Sequence, residues 1–191
     1  MPGAVNRLTP PISADFFRRC IGSTIERDRP DVIVFPPLVL AVVLVLAIAL
    51  QWVAPLGVLG GYGQTWRLGI GGGLLLLGLV LTRAGARTLL SRGTNVNPRK
   101  PAVALATEGI YRWTRNPMYV GGLPLMIGLA VVFALDWLPL LMVPAAFVLH
   151  FGIVRREERY LIGKFGEEYR RYCAQVPRYL AGLAPGHHQQ S

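Results

Sequence analysis

Three short stretches hold the side chains able to do chemistry. The first is Gly109-Ile110-Tyr111-Arg112-Trp113-Thr114-Arg115-Asn116-Pro117-Met118-Tyr119-Val120-Gly121. The second is the adjacent pair Glu157-Glu158, set among Arg155, Arg156 and Arg159. The third runs from Phe165-Gly166 to Tyr169 and Tyr172. Carboxylates can hold an ammonium group or ribose hydroxyls. Arg115 can hold a carboxylate. Tyr or Trp faces can lie against a positive centre. A small zwitterionic ligand with an aromatic ring and a cationic centre would use all three kinds of group.

Each stretch also has an ordinary structural reading. Aromatics and arginines at the entrance of an apolar helix anchor it at the membrane interface. A Glu-Glu pair among arginines reads equally as a solvated helix surface. Pro117 removes a backbone donor and turns Asn116 away from helix. Irregular backbone at membrane depth persists only when it is buried in protein or lines a cavity. His150 stands seven residues before Glu157, on about the same helix face, and is a candidate base or polar contact. Gly166 costs a helix roughly 1 kcal/mol relative to Ala, so a bend is expected there. Tyr169 and Tyr172, three apart, share a face.

The elements that must position these residues are membrane helices. Of 191 residues, 52% are hydrophobic and only 16% charged, against about a quarter charged in ordinary soluble domains. Two cysteines exclude a disulfide scaffold. The apolar content excludes a disordered chain. The basic residues alternate with membrane-length apolar runs, which argues against a soluble nucleic-acid binder. Runs free of Asp, Glu, Lys and Arg cover Val32 to Trp66, Leu68 to Thr82, Asn116 to Leu135 and Trp137 to Val154. About 20 apolar residues span a bilayer. The expected fold is an all-α integral membrane protein with about four transmembrane helices and a C-terminal cytoplasmic helical cap. The second span is the shortest. It reaches across if Arg67 and Arg83 extend toward the two interfaces. Gly69 and Gly73 form a GxxxG pattern expected to permit close helix packing.

Five basic residues precede the first span, seven lie between the second and third, and seven follow the fourth; Arg67 alone falls in the other connections. Lys/Arg excess marks the cytoplasmic side. The expectation is a multi-pass protein with both termini cytoplasmic, in the inner membrane if the cell is bacterial. The regions read as a leader over 1–31 with an interfacial helix over Ile12 to Glu26, two spans over 32–94, a catalytic region over 95–180, and a disordered tail over 181–191. No cleavable signal peptide is expected. Cys20 and Cys173 read as reduced and structural. His187 and His188 carry no metal reading, and no metal or nucleic-acid partner is expected.

The ordered set of motifs resembles a known family. GIYRWTRNPMY, then EERYL, then FGEEYRRY, then Val176-Pro177, is similar to the isoprenylcysteine carboxyl methyltransferase and phospholipid methyltransferase group of integral membrane enzymes. The resemblance covers about residues 95–178. It implies S-adenosyl-L-methionine as methyl donor, bound on the cytoplasmic side, and a lipid or prenylated acceptor such as a prenylcysteine-like carboxylate or a phospholipid amine. Tyr111 matches the family tyrosine of the cofactor pocket. Asn116, Pro117, Met118 and Tyr119 match the stretch that wraps the cofactor. Leu105 and Ala106 match a backbone-contacting segment. Glu157 matches a carboxylate on the cofactor, with Glu158 its neighbour. Asn116 stands where eukaryotic members more often have histidine. A substrate-contacting arginine of some members aligns with Ile153 here; Arg156 is the displaced candidate, alongside His150, for a catalytic role. The alternatives are an NADPH-dependent membrane reductase of the sterol type, whose Arg-His-Pro-x-Tyr and Tyr-x-x-Val-Pro regions are similar, and a non-catalytic membrane scaffold.

Overall fold

Among the residues that the computed structural model describes, 35–97 and 100–179, every regular element is helical. The leader, Cys20 and the tail with His187 and His188 lie outside the described residues. Helix α1 is Pro36–Val53, α2 is Gln64–Ser91, α3 is Pro117–Phe133 and α4 is Trp137–Leu149. A wide π turn, His150–Val154, joins α4 without a break to α5, Arg155–Phe165, and α6 follows over Glu167–Gln175.

Among the described residues, three helices are long and apolar enough to cross a membrane: α1, α2 and the continuous rod Trp137–Phe165. The fourth expected span, α3, is apolar but has only 17 residues, about 25 Å of helix. The second span is not the short one. Helix α2 has 28 residues, about 42 Å, because arginines at its ends do not stop a helix. Arg67, Arg83 and Arg87 all lie within it. Three prolines sit where a missing donor costs least. Pro36 and Pro37 open α1, and Pro117 opens α3 with Asn116 as its cap. Pro124 and Pro144 are interior to their helices.

The most extensive interface in the molecule joins α2 to α3. Gly71, Gly78 and Gly85 are buried on one face of α2, and their seven-residue spacing keeps them aligned along the helix. A Cβ on Gly78 would come 2.6 Å from the Gly121 carbonyl oxygen, and one on Gly71 would come 3.0 Å from that of Gly128. Gly85 faces Pro117 and Met118. The expected GxxxG pair, Gly69 and Gly73, faces open space; the close packing belongs to the glycine face beside it.

Helix α1 packs against α4 through Val43, Ala47, Leu138, Met142 and Ala145, with Met126 and Ala130 of α3 in the same core. At one end of the bundle Asp136 ties the tight α3–α4 turn to the α1–α2 link. It accepts from the Leu59 amide at 2.7 Å and from the Gln51 side chain at 3.3 Å, and Trp137 Nε1 donates to the Ala54 carbonyl at 2.7 Å. The other end gathers the candidate site residues. There the chain between α2 and α3, the end of the long rod, α6 and Pro177–Tyr179 converge.

Candidate active site

The 109–121 stretch divides its side chains between two environments. A 3₁₀ turn over Gly109–Arg112 precedes α3. Tyr111, Thr114, Asn116 and Pro117 are buried, whereas Arg112 and Trp113 are exposed. The anchoring reading suits the outward pair and the site reading suits the inward set. Helix α6 supplies a second wall. Gly166 separates it from α5 in a left-handed conformation, φ 55°, which glycine adopts without a Cβ penalty. The bend turns Tyr169 and Tyr172 into a small core with Ala106, Tyr111 and Val176, against which Leu105 packs. The Tyr172 hydroxyl donates to the Tyr111 carbonyl at 2.6 Å.

A charged cluster fastens these walls together. Arg115 Nη1 lies 3.2 Å from Glu158 Oε1. Arg178 donates from Nε and Nη2 to Glu158 Oε2 at 2.9 and 2.6 Å. Glu158 and Arg115 are largely shielded, with side chains 9% and 12% exposed. Breaking such a buried pair by removing one partner costs about 3–5 kcal/mol. The Arg178 carbonyl accepts from the Thr114 hydroxyl and from Asn116 Nδ2, each at 3.1 Å, and the Pro177 carbonyl accepts from the Arg115 amide at 3.0 Å. Arg178 is thus held at both its side chain and its backbone.

Glu158 Oε1 meets Arg115 as an ion pair without a hydrogen bond; Glu157, next in sequence, is less well engaged. Its Oε2 is buried and has no hydrogen-bond partner among the described residues. Its negative charge acts on the phenols of both Tyr111 and Tyr119. An unpartnered buried carboxylate oxygen is costly and calls for a donor or cation from outside the fold. Burial, and then the charge of Glu157, hold the Tyr111 phenol far above the usual tyrosine range, so it stays a protonated donor. Burial raises Tyr169 and Tyr172 likewise, with Glu158 adding at Tyr169 and Arg115 opposing at Tyr172.

The structure therefore brings Tyr111, Tyr119 and Glu157 into one electrostatic group. It engages Arg115 and Glu158 with each other, and the Asn116 side chain with the backbone of Arg178. Pro117 and Met118 are set against Gly85 of α2. Leu105 and Ala106 lie beside Tyr111 on the α6 side. His150 is half-buried, its Nδ1 2.8 Å from the Tyr179 hydroxyl. The π turn between His150 and Glu157 winds more residues into its turn than an α-helix does, so the seven-residue spacing does not keep the two on one face. Arg156 is half-buried, while Arg155 lies over the Phe151 ring at 5.5 Å. Arg112 does not join the charged cluster. It lines a cleft of about 450 Å³ with Thr107, Glu168, Arg171, Tyr172 and Val176.

Sequence reasoning missed Arg178, Tyr179 and Thr114. Val176-Pro177 marked the end of α6, but Arg178 was only one of seven basic residues after the fourth span. Nothing in its spacing announces a partner 20 residues earlier in the chain.

Fold and site define a helical membrane protein with a cluster of buried aromatic and charged side chains at one end of its bundle. The model of the phospholipid methyltransferase family matches residues 66–168, more than half the chain, and the chain belongs to that family. The protein-S-isoprenylcysteine O-methyltransferase of Xenopus laevis is 33% identical over 121 residues, which cover 61% of this chain and 41% of the relative. A solved structure of the eukaryotic intramembrane Ras methyltransferase, isoprenylcysteine carboxyl methyltransferase, shares the fold with a TM-score of 0.58 at 23% identity, over 77% of this chain and 52% of that one. The chain spans about half the length of these relatives or less.

Proposed function

We propose that this chain transfers a methyl group from S-adenosyl-L-methionine to a lipophilic acceptor at the cytoplasmic interface of the membrane. The observation that carries the reading is the buried, unpartnered oxygen of Glu157, which acts electrostatically on Tyr111 and Tyr119. This donor set fits the group. A carboxylate suits the sulfonium or the ammonium, protonated phenols donate to ribose or carboxylate oxygens, and the aromatic faces suit a cation. The basic residues concentrate in the leader, the 83–115 region and the C-terminal segment, which supports both termini on the cytoplasmic side, in the inner membrane if the cell is bacterial.

When bound, S-adenosyl-L-methionine supplies a methyl group already activated on a positively charged sulfur. The protein's part is alignment and exclusion of water. Glu157, Tyr111 and Tyr119 bind and orient. The backbone of Leu105-Ala106 and the Asn116–Met118 start of α3 form the walls. A prenylcysteine-like carboxylate accepts a methyl group without a base, because it is ionised at neutral pH. A phospholipid amine must first lose a proton, and His150 and Glu157 are the groups able to take it. Membership of a methyltransferase family favours this reading over NADPH-dependent reduction and over a scaffold role.

The test uses the purified full chain in lipid nanodiscs, titrated with S-adenosyl-L-methionine, S-adenosylhomocysteine and NADPH. Lipid extract is then methylated with labelled donor and the product identified by mass spectrometry. Binding of the first two and a labelled lipid are expected. Binding of NADPH alone, or of none of the three, would overturn the proposal.

A further inference from the structure

Glu157 and Glu158 are neighbours with unequal neutralisation. Arg178 donates to Glu158 Oε2 and Arg115 lies 3.2 Å from Glu158 Oε1, which makes an ion pair but no hydrogen bond, whereas the buried Oε2 of Glu157 has no hydrogen-bond partner among the described residues. The two guanidiniums and two carboxylates sum to zero charge. Arg178 is also tied by its carbonyl to Thr114 and Asn116, so its position is fixed by the turn that precedes α3 and not by Glu158 alone.

We propose that Arg178 is a positioning residue for the methyl-donor site: with Arg115 it neutralises Glu158, so that a bound sulfonium meets one uncompensated carboxylate, Glu157, and not two. The inference rests on the function proposed above. Its physical basis is the fate of the charge. The sulfonium loses its positive charge as the methyl group leaves, so negative surroundings stabilise the bound donor more than the transition state. A second bare carboxylate would tighten the grip on the donor and slow the transfer. Arg178 limits the negative charge of the site to what recognition needs.

S-Adenosylhomocysteine lacks the methyl group and with it the sulfonium charge, so the pair of ligands reads local charge directly. The experiment measures both affinities by calorimetry in nanodiscs for the wild type, Arg178→Gln and Arg178→Lys, with thermal unfolding alongside. Arg178→Gln is expected to raise the affinity ratio of S-adenosyl-L-methionine to S-adenosylhomocysteine, on the order of tenfold for one charge at a partly shielded site. It should lower KM and kcat together, and Arg178→Lys should restore the ratio. Equal loss of both affinities with an unchanged ratio would overturn the proposal and leave Arg178 a purely structural tie. Should Arg178→Gln fail to fold, Glu158→Gln tests the same charge from the other side. It should lower the ratio, and an unchanged ratio would again overturn the proposal. A wild type that binds neither ligand sinks the proposed function and this inference with it. A wild type that binds both, with a ratio insensitive to either variant, sinks only this inference.

Discussion

Tyr172 and Tyr111 are joined by a hydrogen bond from the hydroxyl of one to the carbonyl of the other, 2.6 Å long, 61 residues apart and fully buried. It clamps α6 to the turn that precedes α3. Tyr172→Phe leaves that carbonyl without its partner, at a cost of about 1–3 kcal/mol. We expect a lower unfolding temperature in detergent and a weaker hold on the donor, because Tyr111 loses its support. Unchanged unfolding and unchanged affinity would show the clamp to be idle.

Glu157→Gln separates recognition from stability. The carboxylate has an oxygen that the fold does not satisfy, so its loss should leave thermal stability unchanged or slightly higher. Donor affinity should fall by about tenfold or more, the range of a lost charge-assisted contact. Calorimetry and an unfolding scan on the same preparation check both halves. A variant that is strongly destabilised and still binds normally would contradict the assignment.

The glycine face of α2 predicts a position-specific pattern. Gly78→Ala drives a Cβ into the Gly121 backbone at 2.6 Å and should cost about 1–3 kcal/mol through forced backbone shifts. Gly69→Ala and Gly73→Ala, which face open space, should be neutral or stabilising by helix propensity. Chemical denaturation of the three variants in mixed micelles would distinguish this pattern from uniform tolerance.

At the opposite end, Asp136 gives a pH signature. Burial pushes its carboxyl upward, but hydrogen bonds from the Leu59 amide, the Gln51 side chain and the amides of Gly57 and Val58 outweigh it, and the folded value lies below the ordinary 3.8. A depressed carboxylate stabilises the fold fully above its unfolded pKa. That contribution is lost as pH falls from there through the folded value. The wild type should therefore weaken below about pH 4, and Asp136→Asn should flatten that part of the curve. Parallel acid limbs in unfolding scans of the two proteins would refute the role.

Much of this arrangement was legible before the fold was known. Charge-free runs located the apolar helices, and Pro117 and Asp136 marked where α3 begins and where the hairpin turns. What escaped was register. Four glycines at 69, 71, 72 and 73 offer a contact on any side of α2, and only the placement of α3 selects Gly71 with Gly78 and Gly85. His150 and Glu157 seemed to share a face because a uniform α-helix was assumed, and one π turn changes that relation. Arg178 escaped because charge pairs across 20 and more residues leave no periodic trace. The full length of α2 is not legible from charge-free runs, because the long side chains of Arg67, Arg83 and Arg87 let the helix run on past the hydrocarbon.

The glycine face of α2 has one further consequence. Backbones pressed together from Gly71 to Gly85 leave no slit between α2 and α3 wide enough for a hydrocarbon tail. Under the proposed function, a greasy acceptor diffusing in the plane of the bilayer would not reach Tyr119 through that seam. Its route would then run past the other flank of α3, so the tightest joint in the bundle would also decide from which side the membrane is open to the site.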